Sequence, residues 1–176
     1  TYAFQYKVPS EIEAKEIVNV DVTFTSVVVR ELGYKSVCFK FGANGPGNVT
    51  FKATDTGGVG HTFNNNGFWG PAEGFDLPAN YTETTNWTLE FSKHGEYTIF
   101  FSLVDAGTGQ VINNITNTIK VTVSPPKPIY NDTKGLYYDN IQDAINDADE
   151  GDIVLMTAGT YQVNETIIVN KAITIK

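Results

Sequence analysis

Apolar and polar residues alternate with period two through most of the chain as far as Val123, and no other feature restricts its fold as strongly. Val18, Val20, Val22 and Phe24 alternate with Asn19, Asp21, Thr23 and Thr25. The same rhythm runs through Val37, Phe39 and Phe41, through Trp87, Leu89 and Phe91, and through Tyr97, Ile99, Phe101 and Leu103. Ile119, Val121 and Val123 form a further row. A two-residue period sends successive side chains to opposite faces of a strand, so each run offers one apolar face to a core and one polar face to water. Turn-forming stretches lie between them: Gly42 to Gly47, Asp55 to Gly60, Asn64 to Gly67 and Ala106 to Gly109. Short strands punctuated in this way predict an antiparallel β-sandwich.

Gly95-Glu96-Tyr97 opens the most apolar of these strands. It resembles the tyrosine corner of immunoglobulin-class sandwiches, where the phenol bonds back to upstream backbone. Two residues on, where antibody domains carry a cysteine, stands Ile99. The resemblance implies an immunoglobulin-like sandwich without a disulfide, over residues 1–124. Cys38 is the single cysteine, which rules out an intrachain disulfide and a cysteine-cluster metal site. On the Lys40 face of its strand and with no histidine near it in sequence, Cys38 reads as structural.

Charge narrows the partners. A net charge of −8 with no basic block disfavours nucleic acid and anionic membrane surfaces. No stretch reaches the roughly 18 consecutive apolar residues of a membrane helix, so no membrane insertion is expected. The sequence opens at Thr1 without a signal-peptide pattern, as a processed or trimmed product would.

Ser124-Pro125-Pro126-Lys127-Pro128 stiffens the chain and removes ladder donors, which marks residues 125–128 as a linker. Beyond it, Ile141, Ala144, Ile145 and Ala148 share one helical face, with Asp139 as N-cap, Gln142 at the capping-box position and Gly151 as the stop. Ile153 to Met156, Thr166 to Val169 and Ala172 to Ile175 read as three short strands. The series Ile141-Gln142-Asp143-Ala144-Ile145, Gly151-Asp152-Ile153-Val154, Ala158-Gly159-Thr160-Tyr161 and Ile167 to Ile175 resembles the N-terminal cap and first coil of right-handed parallel β-helices of the pectin-lyase-like class. The resemblance covers about 40 residues and implies a helix-plus-strands, β-helix-cap-like segment over residues 129–176. Catalytic groups of that class sit on coils further along, so no catalytic residue is carried over, and no enzyme activity is expected.

Gly67-Phe68-Trp69-Gly70-Pro71, Leu77-Pro78-Ala79-Asn80-Tyr81, Gly95-Glu96-Tyr97-Thr98-Ile99 and Leu103 to Gly109 are similar to bacterial and archaeal cell-surface repeat modules found in surface-layer and adhesin-like proteins. That likeness implies an extracellular or cell-surface location.

Asn-x-Thr occurs at Asn48, Asn80, Asn86, Asn114, Asn131 and Asn164. With 16 Asn and 27 Ser plus Thr, chance gives roughly 2.5 such triplets, so six is an excess that fits a glycosylated, exported chain. Threonine-rich outward strand faces produce the same pattern, and the sequence leaves both readings open. Phe63, Phe68, Trp69, Phe75 and Tyr81 crowd a Gly- and Asn-rich stretch that reads as a long loop. Phe68, Trp69 and Tyr81 are candidates for stacking on a polysaccharide or contacting another subunit, and the alternative is that Phe68 and Trp69 fold over an open sandwich edge or join the core. Asp143, Asp147, Asp149, Glu150 and Asp152 raise structural calcium, but their spacing departs from a calcium loop and fits a solvated helix face. No other cofactor is expected. Strands carrying Ile167, Val169, Ile173 and Ile175 would leave an unpaired apolar edge, a candidate for strand addition between subunits.

The expected function is therefore a non-enzymatic structural protein that self-associates into a polymer as part of a surface layer, fibre or adhesin stalk. The alternative is a carbohydrate-binding accessory module of a larger β-helix lyase or hydrolase.

Overall fold

The computed structural model describes residues 2–9, 11–26 and 34–176 and is mainly β. The chain divides into two compact units, Thr1–Ser124 and Pro125–Lys176.

The first unit carries β1 (Tyr2–Lys7), β2 (Ile12–Glu13), β3 (Ile17–Ser26), β4 (Tyr34–Asn44), β5 (Val49–Thr54) and β6 (Gly60–Asn64). There follow β7 (Asn66–Trp69), β8 (Phe75–Leu77), β9 (Thr82–Phe91), β10 (Gly95–Asp105) and β11 (Val111–Ser124). Among the described residues one sheet has the order β1-β3-β9-β5-β6 and the other β2-β11-β10-β4-β7, with β8 also pairing β4. The run β1-β3-β9-β5 facing β4-β10-β11 is the ABED and CFG arrangement of a constant-type immunoglobulin sandwich. The short β2 adds in parallel to the end of β11.

The alternation read from the sequence supplies the core. Val20, Trp87 and Leu89 point inward from one sheet, and Phe41, Ile99 and Leu103 from the other, all buried. Trp87 meets Phe41 across the gap at 4.6 Å between ring centroids, and Phe4 meets Phe39 at 5.6 Å. Each such side chain stabilises the fold by about 1.5–3 kcal/mol through burial, which is how a sandwich without a disulfide holds. The tyrosine corner is present: the Tyr97 hydroxyl donates to the Lys93 carbonyl oxygen at 2.6 Å. Its ring lies against Gly45, where a Cβ would come within 2.2 Å of the Tyr97 ring. Ile99 is buried where antibody domains place a cysteine.

The second unit carries β12 (Ile129–Asn131), β13 (Leu136–Tyr138), α1 (Ile141–Asp147), β14 (Ile153–Met156) and β15 (Thr174–Ile175). Its sheet runs β13-β12-β14-β15 and is mixed: β12 is antiparallel to β13 and β14, whereas β14 and β15 pair in parallel. Ile141, Ala144 and Ile145 of α1 pack on Ile129 and Val154.

Several local expectations need correction here. The N-cap is Asn140, whose side chain accepts from the Asp143 N–H at 2.9 Å, one residue beyond Asp139. The helix closes at Ala148, not Gly151, which instead adopts positive φ in the following turn. Gln142 plays no capping part. Its side chain accepts from the Ile168 N–H at 2.9 Å and donates to the Ile168 carbonyl oxygen at 3.1 Å. With Ile168 held by that amide rather than by a neighbouring strand, Thr166 to Val169 form no strand, so Ile167 and Val169 are not strand residues. Ile173 also lies outside any strand and packs partly buried on the helix-bearing core, leaving Ile175 alone of the four on a strand.

Candidate functional site

The stretch expected to be a long loop is built as strands. After β5, the chain forms β6 on the edge of one sheet, turns at Asn65, and forms β7 on the edge of the other. Asn65 takes a left-handed backbone (φ 67°) that asparagine tolerates well. Its N–H donates to the Val49 carbonyl at 2.7 Å, its side-chain oxygen accepts from the Val49 N–H at 2.8 Å, and its carbonyl accepts from the Ala43 N–H at 2.8 Å. One residue thus ties the corner to both sheets. Gly67 follows because the chain passes tightly over the core: a Cβ there would lie 2.5 Å from the Phe63 ring and 2.9 Å from the Phe41 ring.

This insertion leaves a wedge. β5 pairs with β9 only from Thr88 to Phe91, and its end, Ala53 and Thr54, pairs instead with β6. Thr82 to Trp87 of β9 therefore have no strand on their β5 side among the described residues. An open groove of about 1300 Å³ occupies the gap. Phe63, Trp69, Phe75 and Tyr81 provide its aromatic lining, and Asp55, His61, Glu83 and the threonines of β9 its polar groups.

Trp69 is half-buried and stands between this groove and a core void of about 20 Å³, both of which it lines. Its ring meets Trp87 at 5.0 Å and His61 at 5.5 Å, both edge-on. His61 also lies nearly parallel to Phe63. The His61 Nε2 is 2.8 Å from Asp55 Oδ2, while Asp55 Oδ1 accepts from the Gly57 and Val59 N–H groups at 2.9 Å each. The hydrogen bond from His61, then that from Val59, holds the Asp55 carboxyl below its usual range. The Tyr81 hydroxyl donates to Glu83 Oε2 at 3.3 Å, and burial followed by the Glu83 charge pushes this phenol upward.

Of the three aromatics singled out from sequence, the structure brings Trp69 and Tyr81 into the groove. Phe68 borders it, but its exposed ring sits on the outer face with the Lys40 ammonium 5.9 Å from its centroid. Alternation along β7 separates it from Trp69. Asp55, His61 and Glu83 were not singled out. Asp55 opens a turn followed by Gly57 and Gly58, and that turn spacing was the one local signal available.

The other sequence candidates scatter. Asn48, Asn80, Asn86, Asn114 and Asn164 are exposed. Asn131 is fully buried, and its side-chain nitrogen donates to Asp152 Oδ2 at 2.8 Å, so a glycan at that atom is incompatible with the fold. Asp152 also accepts from the Asp149 N–H at 3.0 Å, which together with the Asn131 bond lowers its carboxyl. Lys134 pairs with Asp149 at 3.1 Å in the same acidic turn. Among the described residues no group of three or more His, Cys, Asp or Glu side chains is placed to hold a metal ion. Cys38 is buried, and burial followed by the Asp105 charge pushes its thiol up, away from the reactive thiolate.

No family model and no curated protein matches the chain. Among solved structures it is similar to the CARDB domain of PF1109 from Pyrococcus furiosus, at TM-score 0.46 and 14% identity over 70% of this chain and 94% of that one. A crystal structure of that domain in complex with di-metal ions gives TM-score 0.43 and 15% identity over 71% and 94%. PapD-like domain 7 of human CEP192 gives 0.24 and 12% over 69% and 82%. The immunoglobulin-like assignment rests on this chain's own strand order and tyrosine corner.

Proposed function

We propose that this chain is a non-enzymatic structural part of an extracellular cell-surface assembly, in which the second unit starts a parallel β-coil and offers its last strand to a second copy. The observation that carries this reading is the edge at β15. β14 and β15 pair in parallel, Ile153 opposite Thr174, and among the described residues no strand pairs with the other edge of β15. On β15 Ile175 is 40% exposed, and elsewhere in the same unit Val163, Ile167, Ile168 and Val169 are 40–62% exposed. An unpaired strand edge flanked by apolar side chains favours a further strand over water. Parallel addition by another copy is a heterologous contact, which propagates into a filament. The five exposed Asn-x-Thr triplets support an exported chain, and no helix among the described residues is long and apolar enough to cross a membrane.

Light scattering of the full chain from dilute to near-millimolar concentration, with negative-stain images of the same samples, tests the proposal. The expected result is a mass that grows with concentration, abolished in the doubly substituted Val169→Lys, Ile175→Lys chain. A monomer at every concentration, with the Thr174 and Lys176 amides that donate to Asp152 and Val154 as protected as those of β14, overturns self-assembly.

A further inference from the structure

The groove between β5 and β9 combines aromatic and polar side chains. Its floor is aromatic, whereas its polar groups include hydroxyls, two carboxylates and one imidazole. Among the described residues no hydrogen bond holds the Trp69 indole N–H, and no buried side-chain nitrogen or oxygen there lacks a partner. The indole N–H therefore opens to solvent, at a residue whose ring is otherwise packed against Trp87 and His61. The Asp55–His61 pair is pre-set beside it by backbone bonds to the Asp55 carboxylate, and Tyr81 and Glu83 lie across the groove.

The geometry points to a binding site for a neutral oligosaccharide, centred on Trp69. Pyranose rings have apolar C–H faces and a rim of hydroxyls that both donate and accept. An aromatic floor takes the first and a rim of threonines, carboxylates and an indole N–H takes the second. Small-molecule pockets typically measure about 300–1,000 Å³, and this groove is larger and open along its length, so an oligomer fits better than a single sugar. Two carboxylates, Asp55 and Glu83, against one lysine, Lys52, and a net charge of −8 disfavour an acidic polysaccharide. The unpaired β9 edge invites one rival occupant, an extended peptide adding as a strand. Such a peptide needs backbone contacts along Thr82 to Trp87 and makes no use of the indole N–H or the Asp55–His61 pair.

The test is a nitrogen–proton NMR titration of the full-length chain with soluble hexamers of β-1,4-linked glucose, N-acetylglucosamine and mannose. A galacturonate hexamer serves as the polyanion and an alternating Thr-Val peptide as the strand mimic. The expected result is saturable movement of the Trp69 indole signal with at least one neutral hexamer. Trp69→Phe keeps a ring but removes the donor, and, read through the backbone amides of Thr84 and Thr85 in the groove, it weakens that binding about tenfold, the effect of one lost hydrogen bond of about 1.4 kcal/mol. Asp55→Asn, at an exposed turn, provides a variant that does not disturb the core. Its dispersed spectrum reports on folding independently, and its affinity falls too. Failure of all three neutral hexamers to move the Trp69 signal overturns the site. Preferential binding of the galacturonate hexamer overturns the neutral class, and peptide shifts confined to Thr82–Trp87 make the groove a strand acceptor instead. None of these outcomes bears on β15 in the other unit.

Discussion

The ammonium of Lys171 lies 2.6 Å from the carbonyl oxygen of Ala148, the residue that closes α1. The same ammonium donates to the Asn146 carbonyl at 2.6 Å and the Ile145 carbonyl at 3.2 Å. The last turn of α1 holds no basic residue, so a cation delivered from far along the chain meets the negative end of the helix. A seven-residue helix is too short to persist alone in water. Here it is fixed by burial of its apolar face below and by Lys171 at its end.

Replacing Lys171 with Met keeps most of the aliphatic stem and removes the charge and donors. The expected cost is about 1–2 kcal/mol, confined to the second unit. Hydrogen exchange reads it directly: protection of the Ala144 to Ala148 amides falls while the β9 and β10 amides keep theirs. Unchanged protection in α1 means that packing alone holds the helix.

Tyr97→Phe removes a hydroxyl that donates at 2.6 Å to Lys93 and leaves the ring over Gly45 in place. The Lys93 carbonyl loses a half-buried partner, and the loss is about 1–2 kcal/mol of sandwich stability. Urea denaturation followed by tryptophan fluorescence measures it, since Trp69 and Trp87 both belong to the sandwich. An unaltered midpoint removes the corner from the list of what holds the fold.

The sandwich was legible because period-two alternation is a local signal: Val18 to Phe24 and Trp87 to Phe91 each declare their inward face without reference to anything distant. Tyr97 was legible for the same reason, since its acceptor is four residues away. The groove was not. Asn64 to Gly67 reads as a turn by composition, and only bonds from Asn65 to Val49 and Ala43 reveal that it carries the chain from one sheet to the other. The second unit shows the same limit. Asp139 and Asn140 are both good caps, so the choice between them was open to sequence only within one residue. The Gln142–Ile168 pairing spans 26 residues, and it holds the Ile168 backbone where the alternation at Ile167 and Val169 suggests a strand.

Glycan occupancy separates the six Asn-x-Thr triplets by burial. In a glycosylating eukaryotic host, glycopeptide mass spectrometry of the folded product is expected to find modification among Asn48, Asn80, Asn86, Asn114 and Asn164, and none at Asn131. The Asn131 side chain is committed on both atoms, donating to Asp152 and accepting from the Lys134 N–H at 2.9 Å. Asn131→Ala costs about 1–3 kcal/mol because both partners lose a buried bond. A glycan at Asn131 on protein that retains native amide protection contradicts this placement.

The pH dependence of the groove follows from Asp55. The His61 hydrogen bond is the first cause of its lowered carboxyl, followed by the Val59 N–H. A carboxyl whose folded pKa lies below its unfolded value of about 3.9 stabilises the fold fully above that value, and the contribution disappears as pH falls through the lowered folded one. A carbon-detected titration should therefore place the Asp55 midpoint below the ordinary aspartate range. In His61→Phe the midpoint should rise toward that range yet stay below it, because the Val59 and Gly57 N–H groups still donate to Oδ1. The direction matters for the groove: Asp55 then stays ionised throughout the neutral and mildly acidic range, an acceptor ready for a ligand hydroxyl. Equal midpoints in the two proteins would show that the turn alone sets the carboxylate, and His61 would be left with only its ring contacts to Phe63 and Trp69.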